Sequence, residues 1–198
     1  MAEEEEIVVS RGVSPMHIIL TAINSGVIGI LAILGVVYTP ILPGVGAIYP
    51  ATAFEVAFGI WFGIWGAIAS YIGCLIMNLY TGIPLALALP LSLSDFLAAF
   101  LPLLGFKLFK RNPKLVDTND WIIYIIFGIL LSSIPGSLYY MYILMMIGWV
   151  PSWEAYWTGV LFWNIGNYIV VAVITTPMLK ILTDYVKRTG LYVEGWIS

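Results

Sequence analysis

Glu55 and Asp95 are the only charged residues between positions 18 and 106. A carboxylate in hydrocarbon costs several kcal/mol, so an intramembrane acid marks a place where a cation, a proton or a polar ligand is handled. Amides accompany the acids. Asn164 and Asn167 are three residues apart, which puts them on one face of a helix. Asn78 and Tyr80 close an apolar run. Tyr49, Tyr139, Trp157 and Trp163 add rings near the same level, able to stack on a flat ligand. Apolar and aromatic walls with a few polar anchors are the composition of a small-molecule pocket. The expected binding set is Glu55, Asp95, Asn164, Asn167, Asn78, Tyr49, Tyr139 and Trp163. An acid-lined site suits a cationic or amine-bearing ligand, of which thiamine-like molecules are an example.

Each of these residues also has a plainer reading. Asn164 and Asn167 fit hydrogen bonds between helices, worth about 1 kcal/mol. Asp95 follows Ser92 and Ser94 and fits a helix cap. Glu55 fits a protonated acid packed in the interior. The catalytic signatures HExxH, GxSxG, the P-loop and paired CxxC are absent from the sequence. The single histidine, His17, reads as structural, and the single cysteine, Cys74, excludes an internal disulfide and a cysteine metal cage. The chain therefore reads as a non-enzyme without metal or cofactor. An intramembrane enzyme using Glu55 and Asp95 as acid and base is a minor alternative.

The elements that must position these groups follow from the spacing of charge. No charge occurs in 18–54, 56–94, 96–106, 121–153 or 155–179. A bilayer core of about 30 Å takes about 20 apolar residues per helix. The pattern predicts an all-α bundle of six transmembrane helices at about 17–38, 47–63, 65–80, 86–107, 121–147 and 155–182, with a kink at Pro135-Gly136. Lys107, Lys110, Arg111 and Lys114, then Lys180, Lys187 and Arg188, then Arg11, all fall on one side if there are six crossings. The positive-inside rule makes that side cytoplasmic, with both termini on it. Trp121, Trp149 and Trp153 sit at span ends, where aromatic rings favour the interface.

Composition agrees. The hydrophobic fraction is 61%, charged residues make up 10%, and mean hydropathy is +0.99. A soluble domain carries about 25% charged residues. The net charge of −3 is dominated by Glu3 to Glu6. Residues 1–14 read as a disordered acidic tail without a cleavable signal peptide, 15–185 as the membrane domain and 186–198 as a short cytoplasmic tail. No basic patch with interleaved aromatics points to nucleic acid. In the first helix, Ala22 with Gly26 and Ser25 with Gly29 form small-xxx-small pairs. These permit close helix approach, either within the chain or to a partner subunit.

The segment Phe58-Gly59-Ile60-Trp61-Phe62-Gly63-Ile64-Trp65-Gly66-Ala67 is similar to the glycine-containing inner turn of the substrate-binding (S) components of energy-coupling factor transporters. The Pro-rich stretch Tyr38 to Pro50 looks like the outer loop that covers their pocket. Asn164 resembles a polar pocket position of that family. The likeness spans nearly the whole chain. It implies a plasma-membrane protein that binds a vitamin-like micronutrient from outside and topples in the bilayer. Release would then depend on a membrane coupling subunit and cytoplasmic ATPases. The family's alanine-xxx-alanine docking pair is matched here by Ala22-xxx-Gly26, which differs at its second position. A competing resemblance, from Trp163-Asn164 to Thr176-Pro177, is to integral-membrane sensory domains working with a separate output partner.

Overall fold

The computed structural model describes residues 15–42 and 44–197. The acidic segment 1–14, and the disorder expected of it, lie outside the described residues. Six helices are present among them. Helix α1 is Pro15–Tyr38, α2 is Ala51–Phe62, α3 is Ile64–Tyr80, α4 is Leu85–Leu108, α5 is Thr118–Met146 and α6 is Trp153–Arg188. Helices α1, α4, α5 and α6 are long and apolar enough to cross a membrane, by length and composition. They present large side chains outward, among them Ile19, Ile23 and Ile30 on α1 and Leu161, Ile165 and Ile169 on α6. An apolar surface of this extent is exceptional in a soluble monomer.

The second helix starts four residues later than the sequence pattern predicts. Pro40–Leu42 (β1) and Val45–Gly46 (β2) pair antiparallel instead of coiling. Thr39 ties the hairpin down: its carbonyl accepts from the Ala47 N–H at 2.6 Å and its hydroxyl from the Ile48 N–H at 3.0 Å. Proline at 40 cannot extend α1, and Pro50 fixes the backbone just ahead of α2. Helix α2 has 12 residues, a rise of only about 18 Å, and the hairpin occupies the length it lacks.

Helix α4 is two segments, Leu85–Leu91 and Leu93–Leu108, joined at Ser92. Helices α5 and α6 each contain a π-helical stretch, Tyr124–Leu130 and Val171–Thr175. The two irregularities face each other. Tyr124 donates its hydroxyl to the Val171 carbonyl at 3.1 Å, an acceptor that also takes the Thr176 N–H in the wider turn. Below this, at the end carrying the basic loop 109–117, the tail docks on the α2–α3 turn. The Val193 N–H donates to Trp61 O at 2.8 Å, the Ile64 N–H donates to Trp196 O at 3.0 Å, and Lys107 Nζ donates to Glu194 O at 2.8 Å. The tail is thus bonded to the bundle, a contact that its composition alone does not signal.

Candidate functional site

Helices α2 and α4 meet where both are small. A Cβ placed on Gly59 would collide with the backbone of Ala99, so only glycine permits this approach. Glu55 and Asp95 each stand four residues earlier in their helices. One turn from the contact, on helices running the same way, the two acids arrive side by side, and both line one small cavity. The sequence spacing of 40 residues gives no hint of this; the Gly59–Ala99 contact produces it.

Two cavities lie end to end, each of about 10 Å³, room for about one water molecule. The first lies beneath the hairpin, lined by Gly44, Val45, Gly46, Cys74, Met77 and Tyr140. The second lies deeper, lined by Thr52, Glu55, Ser94, Ser132, Ser133 and Asn167, with Ala98 and Gly136. Tyr49, Asp95 and Trp163 belong to both walls. The partition between them is a hydrogen bond: Tyr49 donates its hydroxyl to Asp95 Oδ2 at 2.8 Å. The hairpin closes the first cavity from above. Gly44 has φ +72°, and a Cβ there would collide with the Tyr140 hydroxyl, so the turn passes this point only as glycine.

The two acids are held differently. Asp95 accepts from Tyr49 and, at 2.9 Å, from the Ser94 hydroxyl. It lies in the first turn of its helical segment but makes no cap bond there, so the capping alternative does not describe it. Glu55 is 1% exposed; no backbone, hydroxyl or amide donor reaches its carboxyl oxygens, and the group within hydrogen-bond reach of them is the second acid, Asp95. A buried acid left in this condition is costly unless something outside the chain completes it.

The amides divide. Asn167 lines the deeper cavity and donates to Ser133 Oγ at 3.2 Å. Asn164 donates to Ser137 Oγ at 2.8 Å and to Val160 O at 2.7 Å. The plain interhelical reading therefore accounts for both NH₂ groups. Asn164 Oδ1 is buried without a partner. Asn78 donates to Ser92 Oγ at 3.2 Å and accepts from the Tyr140 hydroxyl at 3.0 Å, buttressing the wall behind the first cavity. Tyr139 donates to Pro90 O at 3.0 Å and lines neither cavity; its phenol braces the α4 break. Trp157 is exposed on the bundle surface.

The structure thus gathers Glu55, Asp95, Asn167, Tyr49 and Trp163, places Asn78 and Asn164 behind them, and leaves Tyr139 aside. It adds Thr52, Ser94, Ser132, Ser133 and Tyr140. A signal for Ser133 was available: Ser133 and Ser137, four apart on α5, match Asn167 and Asn164, three apart on α6. His17 stacks on Trp65 with ring centroids 5.3 Å apart, a packing role. Of the small pairs on α1, Ser25 and Gly29 are buried, Gly29 beside Gly73 of α3, whereas Ala22 and Gly26 face outward. No family model, curated protein or solved structure matches this chain.

Proposed function

We propose that the chain crosses the plasma membrane six times, with both termini cytoplasmic, and captures a small molecule from the hairpin side. In this reading it acts as the substrate-binding component of an energy-coupling factor type transporter: a vitamin-like micronutrient enters beneath the hairpin and is passed to a coupling subunit driven by ATPases. The observation that carries the reading is the convergence of Glu55, Asp95, Asn167, Tyr49 and Trp163, from α2, α4, α6 and the segment after the hairpin, on adjoining cavities roofed by that hairpin. The bundle is closed in this form, since each cavity takes about one water. Capture therefore requires the hairpin to lift and the Tyr49–Asp95 bond to part, which joins the cavities. An acid wall favours a ligand with a basic group. The outward pair Ala22 and Gly26 supports a partner helix packing on α1, while Ser25 and Gly29 are already used inside the chain.

Mass spectrometry of small molecules that co-purify with the protein tests this directly. One vitamin-like compound, recovered stoichiometrically from wild type and depleted from Asp95→Asn, is the expected result. Recovery of the same compounds from both proteins overturns the reading.

A further inference from the structure

We propose that the deeper cavity, at Glu55, is a binding site for one monovalent metal cation, with sodium as the ion that fits its donors. The inference concerns the deeper cavity of the closed form; it shares Glu55 and Asp95 with the proposed capture site, but its test uses no organic ligand.

The donor set comes first. The wall contains the carboxylates of Glu55 and Asp95, the hydroxyls of Tyr49, Thr52, Ser94, Ser132 and Ser133, and the amide of Asn167. These are hard oxygen donors, the kind that bind alkali and alkaline-earth cations, with no thiol or imidazole among them. The volume, about 10 Å³, holds one ion or one water and excludes a hydrated ion or an organic cation.

Charge selects the valence. Asp95 accepts a hydrogen bond from Tyr49 and shares the Ser94 hydroxyl with Leu91 O, which offset part of its charge. Glu55 accepts from no hydroxyl, amide or backbone donor, and its carboxyl lies within hydrogen-bond reach of the Asp95 carboxyl. Two acids this close call for one positive charge between them. A divalent ion would need a further acid, and among the described residues no third Asp or Glu lines the cavity. A water molecule would supply protons for hydrogen bonds but would leave the charge in place, in an interior where that charge is expensive. Intramembrane acids that persist without a basic partner are found on ion and proton pathways.

Position adds a consequence. Tyr49, Asp95 and Trp163 form the shared wall. An ion at Glu55 draws on Asp95, and Asp95 is what holds the Tyr49 hydroxyl in the partition. Occupancy of the lower site is therefore linked to the shape of the upper one.

The test uses purified full-length protein in detergent, at constant ionic strength, with sodium chloride exchanged for choline chloride. Sodium at tenfold its Kd should raise the unfolding midpoint by about 3 °C. Equilibrium dialysis with radioactive sodium should return one ion per chain. Glu55→Gln, which keeps shape and removes charge, should abolish both effects. If that variant cannot be recovered, Thr52→Val, isosteric and outside the acid pair, should weaken sodium binding severalfold. A proton is the rival occupant; Glu55 and Asp95 can take it, while the Tyr49 phenol and Cys74 thiol that also face this region already carry theirs. A midpoint that follows pH between 5 and 8 in choline, with no response to sodium at any pH, overturns the proposal. So does a sodium response that survives in Glu55→Gln.

Discussion

Asp120 and Glu55 are equally buried, at 2% and 1% exposure, yet the chain treats them in opposite ways. Asp120 lies in the first turn of α5 and gathers the basic loop around itself. Its carboxylate accepts the N–H groups of Asn112 and Val116, both at 3.0 Å, and of Asp117 at 3.3 Å. Asp117 in turn caps the Asp120 N–H at 2.7 Å, completing a reciprocal capping box. Both carboxylate oxygens are used, and the acid organises its neighbours. Glu55 organises nothing: no backbone, hydroxyl or amide donor turns toward it, and the group within hydrogen-bond reach is a second acid, Asp95. Burial alone therefore does not separate a structural acid from a functional one; the count of donors pointed at it does.

Breaking the satisfied side of this comparison should cost most. Asp120→Ala strands three backbone donors and the capping box, and should destabilise the protein by about 4 kcal/mol, since hydrogen bonds to a charged group are worth about 1.5–3 kcal/mol each; urea or SDS unfolding in mixed micelles measures it. Gly59→Val attacks the contact that brings the acids together. It should cost about 3 kcal/mol by overpacking against Ala99 and should also lower the recovery of any co-purifying ligand, because Glu55 and Asp95 are pushed apart. Tyr124→Phe removes the bond to Val171 and should cost about 1 kcal/mol by the same assay, with ligand recovery unchanged. Ser133→Ala removes the acceptor for Asn167 and should cost about 0.6 kcal/mol, a typical value for a hydrogen bond between membrane helices.

Much of the fold was legible because charge is so scarce. The gaps between Glu55, Asp95, Lys107, Glu154 and Lys180 set the lengths available to apolar helices, and the observed ends of α1, α3 and α4 fall within two residues of the expected 17–38, 65–80 and 86–107. Failures occurred where backbone chemistry competed with hydropathy. Residues 47–50 are as apolar as a helix start, but the prolines and Gly44 make a hairpin of the preceding stretch and delay α2 to Ala51. The expected irregularity at Pro135 is overshadowed by π turns at 124–130 and 171–175, which no residue type announces. The C-terminal tail reads as polar overhang, and its hydrogen bonds to Trp61 and Ile64 are visible only once the α2–α3 turn exists.

The site was half legible for a similar reason. Glu55 and Asp95 stand out by charge, and both line the cavity. Tyr49 and Trp163 stand among many aromatics, and only the fold distinguishes them from Tyr139 and Trp157. The hydroxyls of Thr52 and Ser132 carry no sequence signal in membrane helices, where such residues commonly bond to their own backbone. The Ser132 hydroxyl does so here, to Gly128 O at 2.7 Å.

The account turns on Glu55 being an acid that the folded chain leaves incomplete. Unfolding of Glu55→Gln and Asp120→Asn, measured side by side in sodium-free, ligand-free detergent, tests this most directly. The account predicts opposite signs: Glu55→Gln gains about 1 kcal/mol by relieving two buried acids set side by side, whereas Asp120→Asn loses stability with the acceptor of three backbone donors. Equal losses in both variants would contradict it, because Glu55 would then be held by the chain as firmly as Asp120.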